Sequence, residues 1–568
     1  MMKNSIALSN VEVRQFRADY LKFQERGNQL LLSKLKDFQL KQLSNLSVLT
    51  EYHDLLLFCA AYPVSEEIRS LVIKELERIH STVLEIYLST SIKKKITLSG
   101  SGIAGSSLTG SFSFELVGWL NKEFPGSVKF EGFGESEVAP AEILRLGLMP
   151  AETELSEKKD LSFTKWIALA CGSGKHHLKN VLGIFESMKL PQEIRDYLYD
   201  TLKLYIDFDC RESRASRTFG HITGTKIVYH RDELIKKPDP EFFLKEKIPA
   251  KLFLSTEEKQ EYVDAARIAL FTLFRETDPV TFAEVEATEV YDTGRGLTIA
   301  LYYLRSDRRL ALDAYVGYVA FKNGIPCAYG GGWIFRSKSK IGINIFPPYR
   351  GGESAWIFLQ IMRLYRHRFN VNFLEAEPYQ IGKNNPEGIQ SGAFWFYYRL
   401  GFRPVQDDLF ELAGKEWEKI ITKKKYRTPA AVLRILANSN LRLDTNQPGT
   451  KSEIMSADAQ GLGAFVTSFI IERFQGNRKN AAEYFQKNIY RVCPGAKTIA
   501  KTSSQKRSLN LLLPLAFLLV TQTDVLKENM ELFLKWLISK SEESEIQYIQ
   551  YTQKLDKYFE VLEKIRKR

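Results

Sequence analysis

The sequence predicts a multidomain protein of the mixed α/β (α+β) class, with a central sheet-bearing domain between two helix-rich regions. The chain has 568 residues, and at roughly 150 residues per domain it is long enough for three or four modules. Hydrophobic residues make up 44% and aromatic residues 12% of the chain, which is enough to form packed cores. The apolar residues also change their spacing along the chain, from helix-like at both ends to strand-like in the middle.

The N-terminal region, residues 1–92, is predicted to be helical. Ser65 is a typical N-cap residue, and Glu66 and Glu67 follow it in the expected first helical turn. The apolar residues after them recur on one helix face: Ile68, Leu71, Val72, Leu76, Ile79, Val83 and Ile86. This spacing predicts one long amphipathic helix.

Residues 93–254 show a mixed pattern, for which we predict an α+β region. The segment Lys93–Ser99 (KKKITLS) is strand-like, and the glycine-rich segment Gly100–Gly105 follows it. These glycines match the dinucleotide-binding pattern GxGxxG, which requires a helix directly after them. The residues that follow, SSLTGSFS, have little helical character. A tight turn is therefore the preferred interpretation.

A strand-like period characterises residues 255–415, the predicted central domain. Three runs, TIALYYL, AYVGYVAF and IPCAYGGGWIF, are rich in β-branched and aromatic residues. The last two runs are joined by Asn323-Gly324. Asn-Gly adopts the positive φ angles that two-residue hairpin turns need, so a hairpin is predicted here.

The C-terminal region, residues 428–568, is predicted to be entirely helical. A basic linker, TKKKYR, leads to Thr428-Pro429, which is an N-cap residue followed by proline at the first helical position. The longest apolar run, Leu511–Val520, contains Pro514 and is about half of the ~20 residues that span a bilayer. We therefore expect a buried helix here and no membrane partner.

Charge and cysteine content exclude several further classes of function. The 80 Lys and Arg residues against 68 Asp and Glu leave a net charge of +12, which is too dilute to indicate a nucleic-acid partner. The five cysteines are odd in number and far apart: Cys59, Cys171, Cys210, Cys327 and Cys493. They predict neither a disulfide framework nor a metal knuckle. Because the N-terminus also lacks a signal-peptide pattern, a cytoplasmic location is expected.

The strongest functional signal lies between Gly342 and Pro404. A strand-like run ends in the Pro/Gly turn PPYRGG, and an apolar-periodic helix follows it. A strand that runs through a glycine turn into a helix leaves backbone N–H groups unpaired at the positive end of the helix dipole, which suits a phosphate or pyrophosphate. Arg350, beside the turn, adds a guanidinium that contacts phosphate bidentately.

A second strand-to-helix unit follows directly. The segment FLEAEPYQ is predicted to be a strand, and SGAFWFYYRLGF an aromatic helix that ends at Leu400-Gly401. Glycine after the last apolar residue of a helix is a C-cap signal. Glu375 and Glu377 are two apart on the predicted strand and so share a face, which makes them candidate bases. Two successive strand-to-helix units with an anion site at the first are consistent with a cofactor cleft.

These two segments resemble the GNAT acetyltransferase superfamily. Its cofactor motif reads approximately V-x-P-x-Y-R-G-x-G-x-G/A, and residues Ile345–Ala355 read IFPPYRGGESA. A later helix of that family reads N-x-x-A-x-x-F-Y-x-K-x-G-F, and residues Gln390–Phe402 read QSGAFWFYYRLGF. The resemblance covers the central domain only, and it implies a mixed sheet with flanking helices there.

The resemblance also implies a reaction and its residues. An acyl-coenzyme A, most simply acetyl-CoA, would lie between two splayed strands and transfer its acyl group, without a metal, to an amine of a small molecule or a protein. The cofactor-binding residues would be Ile345, Phe346, Tyr349, Arg350, Gly351, Gly352, Ser354 and Ala355. Tyr397 would be the general acid that protonates the leaving thiolate.

Two positions depart from the family pattern and leave alternatives open. Glu353 replaces the second glycine of the cofactor motif, and Gln390 replaces an asparagine. A carboxylate at the start of the helix would compete with pyrophosphate for the same N–H groups. One alternative is therefore a non-catalytic GNAT-fold binding or scaffold protein. A second alternative is a transferase that uses aminoacyl-tRNA.

Overall fold

The chain folds into two compact units, which a computed structural model describes for residues 6–89, 91–156, 163–172, 174–211, 214–451 and 458–566. Unit 1 consists of Met1–Glu233, Asp264–Thr277 and Lys322–Pro326, and unit 2 of Leu234–Val263, Asp278–Phe321 and Cys327–Arg568. The described residues include many helices and a nine-stranded mixed sheet. The predicted mixed α/β class is therefore confirmed.

The first part of unit 1 is helical, as predicted. Its helices are α1 Asn10–Tyr20, α2 Phe23–Arg26, α3 Asn28–Gln39, α4 Leu46–Ala61, α5 Glu66–Leu88 and α6 Ile92–Leu98. The predicted long amphipathic helix is α5, whose N-cap Ser65 accepts a hydrogen bond from the Ile68 amide at 3.3 Å. Ile68, Val72 and Val83 are among the residues that α5 buries.

The rest of unit 1 combines a small sheet with helices. The strands β1 Ser107–Gly110, β2 Val128–Phe133 and β3 Leu204–Asp209 form an antiparallel sheet in the order β1-β3-β2. The helices are α7 Phe114–Glu123, α8 Pro140–Leu144, α9 Thr153–Ser156, α10 Phe163–Cys171, α11 His177–Ser187 and α12 Gln192–Leu202. Leu108, Val181 and Ile206 belong to the hydrophobic core that joins this sheet and its helices.

One predicted strand in unit 1 is wrong. Lys93–Ser99 contributes to helix α6, which leaves Ile92 and Ile96 72% and 69% exposed and buries Leu98. The β-branched residues suggested a strand, but β-propensity depends strongly on packing against neighbouring strands. The glycine segment after α6 is the predicted tight turn: Gly102 and Gly105 have φ of 66° and 90°, and the chain enters strand β1, where a dinucleotide site needs a helix.

Unit 2 is built on the mixed sheet, whose order is β11-β12-β10-β9-β8-β7-β6-β5-β4. Its strands are β4 Ala250–Leu252, β5 Glu289–Asp292, β6 Leu297–Tyr303, β7 Ala314–Lys322, β8 Ile325–Phe335, β9 Lys338–Ile345, β10 Phe373–Ala376, β11 Arg403–Pro404 and β12 Leu441–Asp444. The predicted hairpin joins β7 to β8, and its turn residues Asn323 and Gly324 have φ of 49° and 81°. Positive φ at both positions is what a type I′ turn requires.

Helices accompany this sheet along the chain. Those before residue 430 are α13 Pro240–Lys245, α14 Thr256–Phe271, α15 Asp278–Thr281, α16 Ser354–Phe369, α17 Pro386–Ser391, α18 Ala393–Arg399 and α19 Asp407–Thr422. Those that follow are α20 Ala430–Leu436, α21 Ala459–Phe474, α22 Arg478–Val492, α23 Gly495–Ile499, α24 Ser503–Gln522, α25 Val525–Ile538, α26 Ile546–Lys554 and α27 Asp556–Arg566.

The prediction that residues 428–568 are entirely helical is wrong, because this region contributes strand β12. Leu441 and Leu443 are fully buried on the sheet, and β12 pairs antiparallel with β10 on one side and with β11 on the other. Four residues are too few to show a period of two in the sequence. The apolar run Leu511–Val520 lies in α24 as the expected buried helix. Among the described residues, no helix has both the length and the apolar character to cross a membrane.

Candidate active site

The candidate site lies where β9 and β10 separate. These strands run parallel, and their register joins Phe373 to Lys338, Leu374 to Ser339 and Glu375 to Lys340. β10 ends at Ala376, and a short 3₁₀ helix, Pro378–Ile381, follows it, whereas β9 continues to Ile345. The last residues of β9 therefore extend beyond the register with β10.

The backbone of β9 presents hydrogen-bonding groups at this separation. The Phe346 amide donates to the Cys327 carbonyl at 3.0 Å, and residues of an antiparallel pair alternate between facing their partner strand and facing away. In the register of β8 with β9, Ile343 and Ile345 consequently direct their N–H and C=O groups away from β8, toward the β10 side. Among the described residues, no strand pairs with this end of β9, although Arg350 Nε donates to the Ile345 carbonyl. An edge without a partner strand is a template for pairing with an extended group.

The turn after β9 has the strand–turn–helix form that the sequence predicted for a candidate anion site. Residues Pro347–Tyr349 make a 3₁₀ turn, and Gly351 follows with φ of 82°, a conformation that glycine adopts without strain. Within the described chain, the backbone amides of Gly351, Ser354 and Ala355 donate no hydrogen bond. These amides lie at the N-terminus of α16, where a helix favours negative charge.

Arg350 lies beside this turn and is exposed. Its Nε donates to the Ile345 carbonyl at 3.3 Å, and its Nη1 lies 2.9 Å from the Glu387 carboxylate. The side chains of this ion pair are 59% and 65% exposed, so the pair is weak and the guanidinium is accessible from solvent.

Glu353, the residue that departs from the family motif, is fully buried. Its Oε1 accepts hydrogen bonds from Arg295 Nη2 at 2.9 Å and from the Ile235 amide at 3.1 Å. Although Glu353 occupies the N-cap position of α16, its side chain makes no capping hydrogen bond. The carboxylate is therefore neutralised by Arg295 and does not compete for the amides of the turn.

Tyr397 lies beside the same end of β9, near the Ile343 amide. It lies on α18, packs edge-on against Phe358 of α16 and is 2% exposed. Among the described residues, no group hydrogen-bonds to its buried hydroxyl. Burial raises the pKa of Tyr397, and the nearby Ile343 amide opposes this only in part. The site thus contains a protonated hydroxyl that lies near the Ile343 amide of β9 but makes no hydrogen bond of good geometry within the described ranges.

The two predicted bases differ in their environments. Glu375 is 2% exposed and is held by Arg442 at 2.9 Å and Asn440 at 2.7 Å, with Lys338 at 3.4 Å. Burial tends to raise the pKa of Glu375, but Lys338 and Arg442 outweigh it and lower the pKa. Glu375 is thus an ion-paired structural group.

Glu377 lies one residue beyond the end of β10 and keeps contact with solvent. It pairs with Lys340 at 2.8 Å, and its side chain is 47% exposed. Lys338 and Lys340 pair with Glu375 and Glu377 in turn across neighbouring strands, so the two carboxylates share a sheet face as predicted. Of the two candidate bases, only Glu377 remains accessible.

The aromatic residues around the turn pack away from the separation. Phe346 stacks on Tyr329 of β8 with ring centroids 5.3 Å apart, and Tyr349 is 3% exposed. Trp395 stacks on Trp417, and its Nε1 donates to the Thr428 hydroxyl. These contacts give Phe346 and Trp395 structural roles.

Gln380, which the sequence analysis did not single out, also lies at the separation. A Cβ placed on Gly342 of β9 would lie 2.6 Å from the Gln380 Cδ, so the carboxamide covers the Gly342 backbone. Its amide N–H and C=O groups make no hydrogen bond to the protein within the described ranges. A lone glutamine after a strand carries no sequence signal, because its position depends on the approach of β10 to β9.

Comparison with known proteins adds no further information on the site. No protein-family model, curated protein or solved structure matches this chain. In the part of the chain that the structure describes, no group of three or more His, Cys, Asp or Glu residues is arranged to hold a metal ion.

Proposed function

We propose that unit 2 has a GNAT-like fold and is an N-acyltransferase that moves an acyl group, most simply acetyl, from acyl-CoA to an amine. One juxtaposition carries this proposal: the unpartnered hydroxyl of Tyr397 lies beside the free edge of β9 at Ile343. A buried hydroxyl without a partner is costly unless a ligand or substrate uses it. The Tyr397 hydroxyl lies near the point where the parallel strands β9 and β10 separate.

The residues present fit an acyl-CoA. The amides of Gly351, Ser354 and Ala355 and the exposed guanidinium of Arg350 would bind the pyrophosphate. The free edge of β9 at Ile343 would pair with the amide groups of the pantetheine arm, as an added strand pairs with a sheet edge. When bound, acyl-CoA supplies the activated thioester.

Tyr397 has the properties of a general acid for this reaction. The amine nitrogen forms a bond to the thioester carbonyl carbon, the C–S bond breaks, and the Tyr397 hydroxyl donates its proton to the departing sulfur. The amine loses one proton as the amide forms, so the protons balance once solvent returns one to Tyr397. Glu377, through its contact with solvent, is the available acceptor for the proton of the amine.

Glu353 no longer favours the non-catalytic alternative. The competition expected from its carboxylate requires a side chain turned toward the amides of the turn. Arg295 and the Ile235 amide hold that carboxylate elsewhere. Binding of tRNA in place of acyl-CoA would indicate the aminoacyl-tRNA-dependent transferase instead.

Titration calorimetry with acetyl-CoA tests the proposal directly. We expect the wild-type chain to bind acetyl-CoA, and Arg350→Ala to weaken binding about ten- to a hundredfold, because one charge-assisted hydrogen bond contributes about 1.5–3 kcal/mol. Arg434→Ala is the matched control, since Arg434 is an exposed arginine on α20. The absence of binding at millimolar acetyl-CoA would contradict the proposal.

A further inference from the structure

Gln380 and Tyr397 approach neighbouring residues of β9 from opposite faces of the sheet. The Cβ direction of Gly342 points at the Gln380 carboxamide. Tyr365 of α16 packs against Gly332 of β8, and Gly332 pairs with Ile341 of β9, so Ile341 faces the side of the sheet that carries α16. Successive residues of a strand face opposite sides. Ile343 therefore faces the same side as Ile341, and Gly342 faces the opposite side.

Residue 342 allows this arrangement because it is glycine. Any side chain there would begin 2.6–2.8 Å from the three terminal atoms of the carboxamide and would displace it. Gln380 itself is fixed at its backbone by the turn after β10, in which its amide donates to the Glu377 carbonyl at 2.9 Å. The carboxamide therefore lies on bare backbone, with both of its polar groups free of protein partners.

We propose that Gln380 positions the acceptor amine of the reaction. Its carboxamide oxygen accepts a hydrogen bond from a primary amine and holds the nitrogen at the separation of β9 and β10, on the face opposite Tyr397. This inference rests on the proposed acyltransferase function and adds the group that receives the second substrate. The nucleophile then enters from one face of the sheet, and the proton for the leaving thiolate comes from the other.

The neutrality of Gln380 matters to this role. An amine attacks only as the free base, and a carboxamide binds that form without adding charge. A carboxylate at this position would stabilise the ammonium form, which cannot attack. Gln380→Glu should therefore lower turnover and move the rising limb of the pH profile to higher pH. A residue that only supported the fold would not move the pH profile in this way.

The closing experiment uses the full chain, acetyl-CoA, and two probe amines, ethylamine and hydroxylamine. CoA release measures transfer, and calorimetry measures acetyl-CoA binding. Gln380→Ala should raise the KM for ethylamine roughly three- to tenfold, the value of one lost hydrogen bond, and leave acetyl-CoA affinity unchanged. Gly342→Ala should have the same effect by displacing the carboxamide. Gln406→Ala is the control, since Gln406 is exposed before α19.

The outcomes separate the two proposals. If the wild-type chain does not bind acetyl-CoA, the proposed function fails, and the role of Gln380 fails with it. If the wild-type chain transfers acetyl to ethylamine, and Gln380→Ala and Gly342→Ala have the same KM for ethylamine as the wild-type chain, only the role of Gln380 is overturned. Binding of acetyl-CoA without transfer to either amine also overturns that role. Circular dichroism of each variant identifies misfolding, and Gln380→Glu supplies an independent readout through its pH profile.

Discussion

Arg295 holds the carboxylate of Glu353 in a buried ion pair of 2.9 Å. The Glu353 side chain is fully buried, and its partner is 25% exposed. The guanidinium also lies over the Trp356 ring, 5.9 Å from its centroid, on the first turn of α16. The ion pair between Glu353 and Arg295 thus joins the start of α16 to the turn between β5 and β6.

Replacing Glu353 should therefore destabilise the protein. Glu353→Gln removes the charge that neutralises Arg295, and we expect the free energy of unfolding to fall by about 3 kcal/mol, the lower end of the range for a buried ion pair that loses one partner. Urea denaturation measures the change. Glu387→Gln, at an exposed ion pair, should change it by about 0–1 kcal/mol. Equal losses in the two variants would show that the Arg295 pairing is not structural.

Tyr397→Phe should not destabilise the protein. The hydroxyl that it removes is buried without a hydrogen-bond partner among the described residues, and a polar group of this kind opposes folding. We expect the melting temperature to stay the same or rise. Tyr302→Phe is the control: its buried hydroxyl donates to the Tyr262 carbonyl at 2.9 Å, so its loss should cost about 1 kcal/mol. A melting temperature that falls in both variants would indicate a hidden partner for Tyr397.

The same substitution should reduce turnover. Without a proton donor, Tyr397→Phe is expected to lower kcat about a hundredfold and to leave acetyl-CoA affinity unchanged. Because burial raises the pKa of Tyr397, the hydroxyl stays protonated through neutral and moderately alkaline pH. The kcat profile of the wild-type chain should then show no falling limb below about pH 10, the ordinary tyrosine pKa. A limb near pH 8 that disappears in the variant would contradict this assignment.

Local sequence patterns predicted the elements whose packing is also local. The spacing of Ile357, Phe358 and Ile361 indicated α16, and all three residues are buried. Asn323-Gly324 indicated the hairpin because its turn requires positive φ at both residues. The strand, turn and helix of the candidate anion site follow from the same short-range signals.

Features that depend on distant residues were not predicted. Strand β12 takes its place because Leu441 and Leu443 pack beside β10, more than sixty residues earlier in the chain. Glu353 finds its partners 58 and 118 residues away, at Arg295 and Ile235. No local period encodes such contacts. From the sequence, the Glu353 carboxylate was expected to compete for the backbone amides of the candidate anion site, but Arg295 and the Ile235 amide hold this carboxylate away from them.

Arg309 should be essential for anchoring residues 540–543, which precede the last two helices, to the rest of unit 2. It is 3% exposed and donates to the carbonyls of Leu304, Lys540, Glu542 and Glu543. Lysine has a single ammonium and cannot reach four carbonyls in this fork-like arrangement. Arg309→Lys should lower the free energy of unfolding by about 2–4 kcal/mol. It should also speed amide hydrogen exchange in residues 539–545, whereas an unchanged exchange rate there would refute the anchoring role.

Glu289 should make the stability of unit 2 sensitive to acid. Burial would raise the pKa of Glu289, but hydrogen bonds from Arg368 and Lys251 outweigh it and lower the pKa to about 2. Arg368 binds the carboxylate through two nitrogens, each at 2.8 Å, and Tyr303 donates to it at 3.1 Å. The depressed pKa means that the folded state holds the carboxylate charged after the unfolded chain has taken up a proton.

The stabilisation from Glu289 is therefore complete above the pKa of an unfolded glutamate, near 4.5, and is lost as the pH falls toward 2. Glu289→Gln should lower the free energy of unfolding by about 3 kcal/mol at pH 7, and the gap to the wild-type chain should narrow below pH 4.5. Urea denaturation at several pH values measures this. Glu286→Gln, at a carboxylate that is 52% exposed beside Lys259, should give a much smaller convergence. A gap that stays constant down to pH 3 would mean that protonation of Glu289 does not change the stability of unit 2.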